Sequence, residues 1–291
     1  MIWSSKFGKQ NQHALEKMIQ QGLAEDIGTG DHSGLSCVPA QQQSKAVLKI
    51  KFEGILAGVE LATHIFKSHD KELKISSNPL TDGDLVSPGM EGFVVEGNAQ
   101  SILATERLAL NCLQRMSGIA TYTRKLVNSI AHTSCQLLDT RKTTPNFRVA
   151  EKWGVLIGGG VNHRMGLYDE LMIKDNHADY CGGLRPALEK THQYLKTNEL
   201  LHLGVVVETR SLEEVEQAMC FPWIKRILLD NMNPTNLNSA VELIQQRIPT
   251  EASGNITHQN LVEVAETGVN YISMGALTYA APICDLSLKA V

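Results

Sequence analysis

The sequence predicts an α/β fold in two parts: a small α+β domain over residues 1–115, then a parallel α/β barrel, partial or complete, over residues 116–291. Three observations predict it. After residue 135, short apolar runs alternate with helical patterns, which is the rhythm of a parallel sheet buried on both faces. Before residue 115 the strand-like segments instead alternate apolar and polar positions, as strands with one wet face do. A length of 291 residues at 43% hydrophobic content suffices for one large core or two modest ones.

Residues 12–23 place Leu15, Met18, Ile19 and Leu23 at helical spacing, with Gly22 where such a helix would end. From Lys45 to Phe52 the pattern becomes alternation: Leu48, Ile50 and Phe52 on one face, Lys49 and Lys51 on the other. Leu85–Val86 and Phe93–Val95 are further strand pieces between Gly and Pro turn signals. TERLALNCLQRMSGIAT, residues 105–121, reads as a helix whose Leu108, Cys112 and Met116 oppose Arg107, Asn111, Gln114 and Arg115. That polar row reads either as a solvated face or as a surface offering Arg107 to a neighbouring subunit. The runs CQLLD, ELMIKD, LGVVVE, RILLD, PTEAS and YISMG then supply the strands of the second part, to which the C-terminal tail adds a segment able to pack back on the first.

A formal net charge of −4 argues against a general basic surface for nucleic acid, so anionic ligands must be met by local cations. No run of about eighteen apolar residues occurs, and the start MIWSSKFGKQ lacks a signal-peptide core, so no membrane partner and a cytoplasmic setting are expected. Six scattered cysteines without a CxxC pair point to reduced, mostly buried thiols.

Chemistry in such barrels gathers where the loops after the strands converge. In DTRKTTPNFR, residues 139–148, Arg141 offers a planar fork suited to carboxylate and Lys142 a compact charge suited to phosphate oxygens. Alone, the pair reads equally as two solvated cations. GGGVNHRMGLYDELMIKDNH, residues 158–177, adds His163, Arg164 and, at a strand end, Lys174; it lacks the GxGxxG spacing of a dinucleotide loop. Glu208 and Asp230 each terminate an apolar run, and read as a ribose and Mg²⁺ site, a general acid and base, or structural carboxylates. Ser253, Gly254, Asn255 and Gly275 suit a phosphate cradle, because glycine admits close approach and Asn tolerates left-handed backbone.

ERLALNCLQRMSGIAT, DTRKTTP, GGGVNHRMGLYDELMIKDNH, VVVET, LLDN and EASGNI, in this order and spacing, resemble the quinolinate phosphoribosyltransferase family. The likeness runs from EDIGTGDHS at residues 25–33 to DLSLK near the end. It implies an N-terminal α/β sandwich domain plus a C-terminal incomplete TIM-like α/β barrel. It also implies transfer of phosphoribosyl from phosphoribosyl pyrophosphate to quinolinate with decarboxylation, with Mg²⁺ as cofactor. The expected assembly is a homodimer with shared active sites, alone or within a hexamer. Carried over residue by residue, Arg107 from the partner with Arg141, His163, Arg164 and Lys174 would bind quinolinate. Lys142, Glu208, Asp230, Ser253, Gly254, Asn255 and Gly275 would surround the phosphoribosyl donor. Lys142, Glu208 and Asp230 would be catalytic, and Glu208 and Asp230 would hold Mg²⁺ directly or through water. TYAAP at residues 278–282 departs from the His and Ser that many relatives carry after the Thr. The competing expectations are a transferase of the same fold acting on a monocarboxylate pyridine, and a Schiff-base barrel lyase using Lys174.

Overall fold

The structure, a computed structural model, describes residues 2–76 and 80–291. The chain forms α1 (Lys6–Gln10), α2 (Gln12–Ile27), α3 (His32–Cys37), β1 (Gln43–Ile50), β2 (Gly54–Ile55), α4 (Val59–His69), β3 (Lys74–Ile75), β4 (Leu85–Val86), β5 (Glu91–Asn98) and α5 (Ala99–Ser129). There follow β6 (Gln136–Leu138), α6 (Arg148–Ile157), β7 (Leu171–Ile173), α7 (Asp175–Cys181), α8 (Leu184–Thr197), β8 (Val205–Thr209) and α9 (Leu212–Met219). The last elements are β9 (Arg226–Asp230), α10 (Pro234–Ile244), β10 (Thr250–Ser253), α11 (Leu261–Glu266), β11 (Tyr271–Ser273), α12 (Ala276–Tyr279) and β12 (Leu286–Ala290). Two compact units result. One gathers the chain up to Arg124 with Thr143–Gly159 and Leu277–Val291; the other holds Lys125–Lys142 and Gly160–Ala276.

The first unit is built on an antiparallel sheet of order β12-β1-β5-β3. Leu48 faces Leu288 and Ile50 faces Leu286 across the β1–β12 ladder, all buried, while Lys45 pairs with Glu96 at 3.0 Å on the wet side. The alternation read from the sequence is therefore a real strand, shifted to Gln43–Ile50, with Phe52 beyond its end. Gly22 does not end α2, which runs on to Ile27 and is capped by Gly28 at φ 52°. Its role is close approach: a Cβ there would stand 2.8 Å from Leu108 Cδ1.

The helix read at residues 105–121 is the middle of α5, and its polar row is not uniformly solvated. Arg107 and Asn111 are exposed, but Arg115 donates to the carbonyls of Ala281 (3.0 Å) and Thr278 (2.5 Å) and pairs with buried Glu151 at 2.9 Å. Gln114 donates to the Leu286 carbonyl at 3.0 Å. The same helix thus anchors the C-terminal segment that delivers β12.

The second unit is a six-stranded parallel sheet of order β6-β11-β10-β9-β8-β7. Each apolar run named above provides one strand, and Val206, Val207, Ile227 and Leu229 are fully buried. Chain order runs around the sheet, and among the described residues β6 and β7 do not pair, so the barrel is incomplete. Among the described residues all six cysteines are free; Cys112, Cys135 and Cys284 are buried, so half the thiols rather than most are. Burial pushes Cys112 and Cys135 up to about 12. No helix among the described residues is long and apolar enough to cross a membrane.

Gly118 on α5 sits where a Cβ would lie 1.8 Å from the Pro282 carbonyl oxygen. Gly118→Ala is expected to lower the melting temperature, because overpacking of about 1–3 kcal/mol outweighs the helix-propensity gain of about 1 kcal/mol. A thermal melt measures this; a raised midpoint would show that the C-terminal segment yields without cost.

Candidate active site

Parallel strands deliver their C-terminal ends to one side of the sheet, and the loops leaving them line a cavity of about 570 Å³ in the second unit. After β6, the Thr140 hydroxyl accepts the Lys142 backbone N–H at 3.0 Å, a local turn that leaves Arg141 and Lys142 on the cavity wall. Asp139, fully buried, accepts the His163 N–H at 2.8 Å and the Asn162 side-chain amide at 2.5 Å, which ties the segment after the glycines to β6. Arg164 then reaches the Glu170 carbonyl through Nη1 at 3.1 Å. At the end of β7, Lys174 caps α7, its N–H donating to His177 Nδ1 at 2.9 Å.

On another wall stand Glu208, one residue before the end of β8, and Asp230, which closes β9. Lys174 Nζ lies 3.6 Å from Glu208 Oε2. Behind them the backbone takes left-handed turns at Asn231 (φ 54°), Gly254 (φ 91°) and Asn255 (φ 51°). Asn255 Nδ2 donates to Asn231 Oδ1 at 3.0 Å, locking the two loops together. Gly254 is required twice over, by its φ and because a Cβ would stand 2.2 Å from Asn231 Oδ1.

The cavity brings together Arg141, Lys142, His163, Arg164, Lys174, Glu208, Asp230, Ser253, Gly254 and Asn255. Two sequence-predicted residues are not on its wall. Arg107 is exposed on α5 in the first unit, and Gly275 follows β11 beyond the lining residue Ser273. The sequence reading passed over Thr140, Met172, Leu228, Asn231, Glu251 and Ser273, which also line it. Half of these were recoverable. Side chains on a strand alternate, so stepping back two residues from Lys174, Asp230 and Ser253 reaches Met172, Leu228 and Glu251 on the same face. The register agrees, aligning Leu228 with both Glu208 and Glu251.

The electrostatics are uneven. Burial, and then the neighbouring Arg141 charge, pull Arg164 below the usual guanidinium range. Burial raises the Glu208 carboxyl, with Asp230 adding to the rise and Lys174 opposing it. Burial acts in the same sense on fully buried Glu251, yet hydrogen bonds from His163 and Ser273 and the Arg226 charge leave it lowered. Among the described residues no group of three or more His, Cys, Asp or Glu could hold a metal ion, so the chain alone forms no metal cage.

Comparison with known proteins matches this arrangement to one family. The profile described as quinolinate phosphoribosyl transferase, C-terminal domain, matches residues 119–289, and that of the N-terminal domain matches residues 31–117. A curated relative from Nicotiana glauca, named quinolinate phosphoribosyltransferase (decarboxylating) 2, mitochondrial, is 44% identical over 290 residues, covering 94% of this chain and 82% of that protein. The structure of the nicotinate-nucleotide pyrophosphorylase from Francisella tularensis superposes with a TM-score of 0.88 at 36% identity, covering 99% of this chain and 100% of that one. NadC from Streptococcus pyogenes gives 0.88 at 33% identity over 96% and 98% of the two chains. With both family profiles matched in order along the sequence, and solved members sharing the fold almost end to end, the chain belongs to the quinolinate phosphoribosyltransferase family.

Proposed function

We propose that the chain transfers the phosphoribosyl group of phosphoribosyl pyrophosphate to the ring nitrogen of quinolinate and releases CO₂, giving nicotinate mononucleotide and pyrophosphate for NAD biosynthesis. The observation that carries this is the meeting of Arg141 and Arg164 in one cavity, close enough for the Arg141 charge to disfavour that of Arg164. With Lys174 lining the same cavity, the two guanidiniums bring more positive charge than one carboxylate balances, which favours a dicarboxylate ring over a monocarboxylate one.

Arg141, Arg164 and Lys174 hold the two carboxylates, with His163 beside them. Lys142 faces the leaving pyrophosphate, and Glu208 and Asp230 hold the ribose hydroxyls. Ser253, Gly254 and Asn255 cradle the 5′-phosphate through turns that admit close main-chain approach, and Gly275 belongs to the edge of that cradle. As pyrophosphate leaves the anomeric carbon, positive charge grows on the sugar, and the two carboxylates stabilise it while the ring nitrogen bonds to that carbon. The nitrogen is then cationic. The adjacent ring carbon loses CO₂, its bonding electrons remain beside the positive nitrogen, and a proton from water completes the C–H bond.

Glu208 and Asp230 suit Mg²⁺, which keeps several waters and takes one or two carboxylates with substrate phosphates rather than an all-protein cage. When bound, that ion would neutralise pyrophosphate charge. The reading includes a homodimer in which Arg107 completes the partner's site, supported by the ERLALNCLQRM motif and by the exposure of Arg107. It also includes a cytoplasmic setting, consistent with free, buried thiols. Lys174 is half-exposed beside a carboxylate, surroundings of an anion-binding lysine rather than a desolvated Schiff-base nucleophile.

CO₂ release from carboxyl-labelled quinolinate is expected only with phosphoribosyl pyrophosphate and Mg²⁺ both present, and nicotinate is not expected to replace quinolinate. Arg141→Ala is expected to raise the quinolinate KM by about ten- to a hundredfold, the loss of one charge-assisted hydrogen bond of about 1.5–3 kcal/mol. Equal turnover of nicotinate would contradict the reading.

Glu208 also separates activity from stability. Its folded-state pKa is raised, so its contribution to stability is present below the unfolded value and is lost as pH rises through the folded value. Glu208→Gln is therefore expected to abolish turnover yet raise the melting temperature at pH 7.5, with the gain vanishing below the normal carboxylate range. A lowered midpoint at pH 7.5 would show that the Lys174 pair outweighs burial.

A further inference from the structure

His163 is buried at the cavity wall with charged groups around both ring nitrogens. The Arg164 main-chain N–H donates to Nδ1 at 2.8 Å, and Glu170 Oε2 lies 3.5 Å from the same atom. Around Nε2 stand Glu251 Oε2 at 3.4 Å and Arg226 Nη2 at 3.2 Å. Arg226 joins the two acids, with Nε 2.6 Å from Glu251 and Nη2 3.8 Å from Glu170; Glu170 also pairs with Lys225. Glu170, Arg226 and Glu251 are buried, and the mechanism above uses none of them.

We infer that His163 and Glu251 are positioning residues. His163 is neutral and protonated on Nε2; it donates from Nε2 to Glu251 and accepts the Arg164 N–H at Nδ1, fixing the chain that carries the Arg164 guanidinium. A neutral imidazole has one donor and one acceptor, and the hydrogen bond at one nitrogen selects the proton's place on the other. Each tautomer sets one donor against another here, so distance decides. A proton on Nδ1, whether in the neutral ring or the imidazolium, would oppose a main-chain N–H at 2.8 Å that cannot turn away. A proton on Nε2 meets Nη2 of the Arg226 side chain at 3.2 Å, a chain able to turn and whose Nε stands 2.6 Å from Glu251, and has the Glu251 carboxylate as acceptor at 3.4 Å. Glu251 in turn remains a carboxylate because Arg226 stands beside it. With both nitrogens committed, His163 acts on quinolinate through Arg164 rather than by donating to it.

Only the kinetic arm of the test rests on the proposed reaction. In the full chain, ¹⁵N NMR of the imidazoles, with the His163 signals assigned by their loss in His163→Asn, is expected to show Nε2 protonated and Nδ1 bare at neutral pH. A proton on Nδ1, alone or with Nε2, overturns the inference. In Glu251→Gln the quinolinate KM is expected to rise about tenfold, the scale of one charge-assisted hydrogen bond, with the KM for phosphoribosyl pyrophosphate unchanged. Both constants rising together, as a general loosening would cause, or neither rising, overturns it. If Glu251→Gln does not fold, the wild-type tautomer still decides. If the wild-type chain releases no CO₂ from quinolinate, the proposed function fails while the tautomer result stands.

Discussion

Burial and the neighbouring Arg141 charge both disfavour the Arg164 guanidinium, a state that Glu170 and Asp169 oppose and that an anion in the cavity would relieve further. The fold exists in good part to impose it. Asp139 pins the segment bearing His163 and Arg164 to the end of β6, and the same strand end launches Arg141 and Lys142. The main chain that carries Arg164 cannot shift without undoing these hydrogen bonds to buried Asp139. The repulsion thus persists in the folded chain as a preformed demand for negative charge, and preformed positioning is what accelerates a reaction whose electron flow the substrates can manage themselves.

The opposite wall meets the opposite need. In the proposed reaction Glu208 and Asp230 place negative charge where the sugar becomes positive, and Glu208 is held there against its burial. Lys174 lines the cavity with Arg141 and Arg164 and is the ion-pair partner of Glu208. Like charges gathered in this way cost stability, as functional sites commonly do. The structure offsets it one layer deeper, where Arg226 balances Glu170 and Glu251, and in the apolar strands Val205–Thr209 and Arg226–Asp230.

Much of this was legible in the sequence because parallel strands leave a plain mark: short apolar runs that stop at a charged or glycine residue. Five of the six barrel strands carried it, and the charged stops Lys174, Glu208 and Asp230 meet in the cavity. The deeper layer left no such mark. Arg226 opens RILLD and Glu251 interrupts PTEAS, positions where a charge resembles strand-edge solvation until the register shows it facing inward. Gly22 misled for a different reason: a glycine near the end of a periodic stretch reads as a terminator, and only the approach of Leu108 reveals a packing role. Arg107, read from the polar row of a helix, and Gly275, read as a cradle glycine, lie outside the cavity wall of the second unit.

The most direct test of the demand for negative charge is a crystal structure of the chain with quinolinate alone. The account predicts one ring carboxylate bridging the Arg141 and Arg164 guanidiniums and the other within reach of Lys174. A ring seated with its carboxylates toward Glu208 and Asp230, or with either guanidinium unengaged, would contradict it.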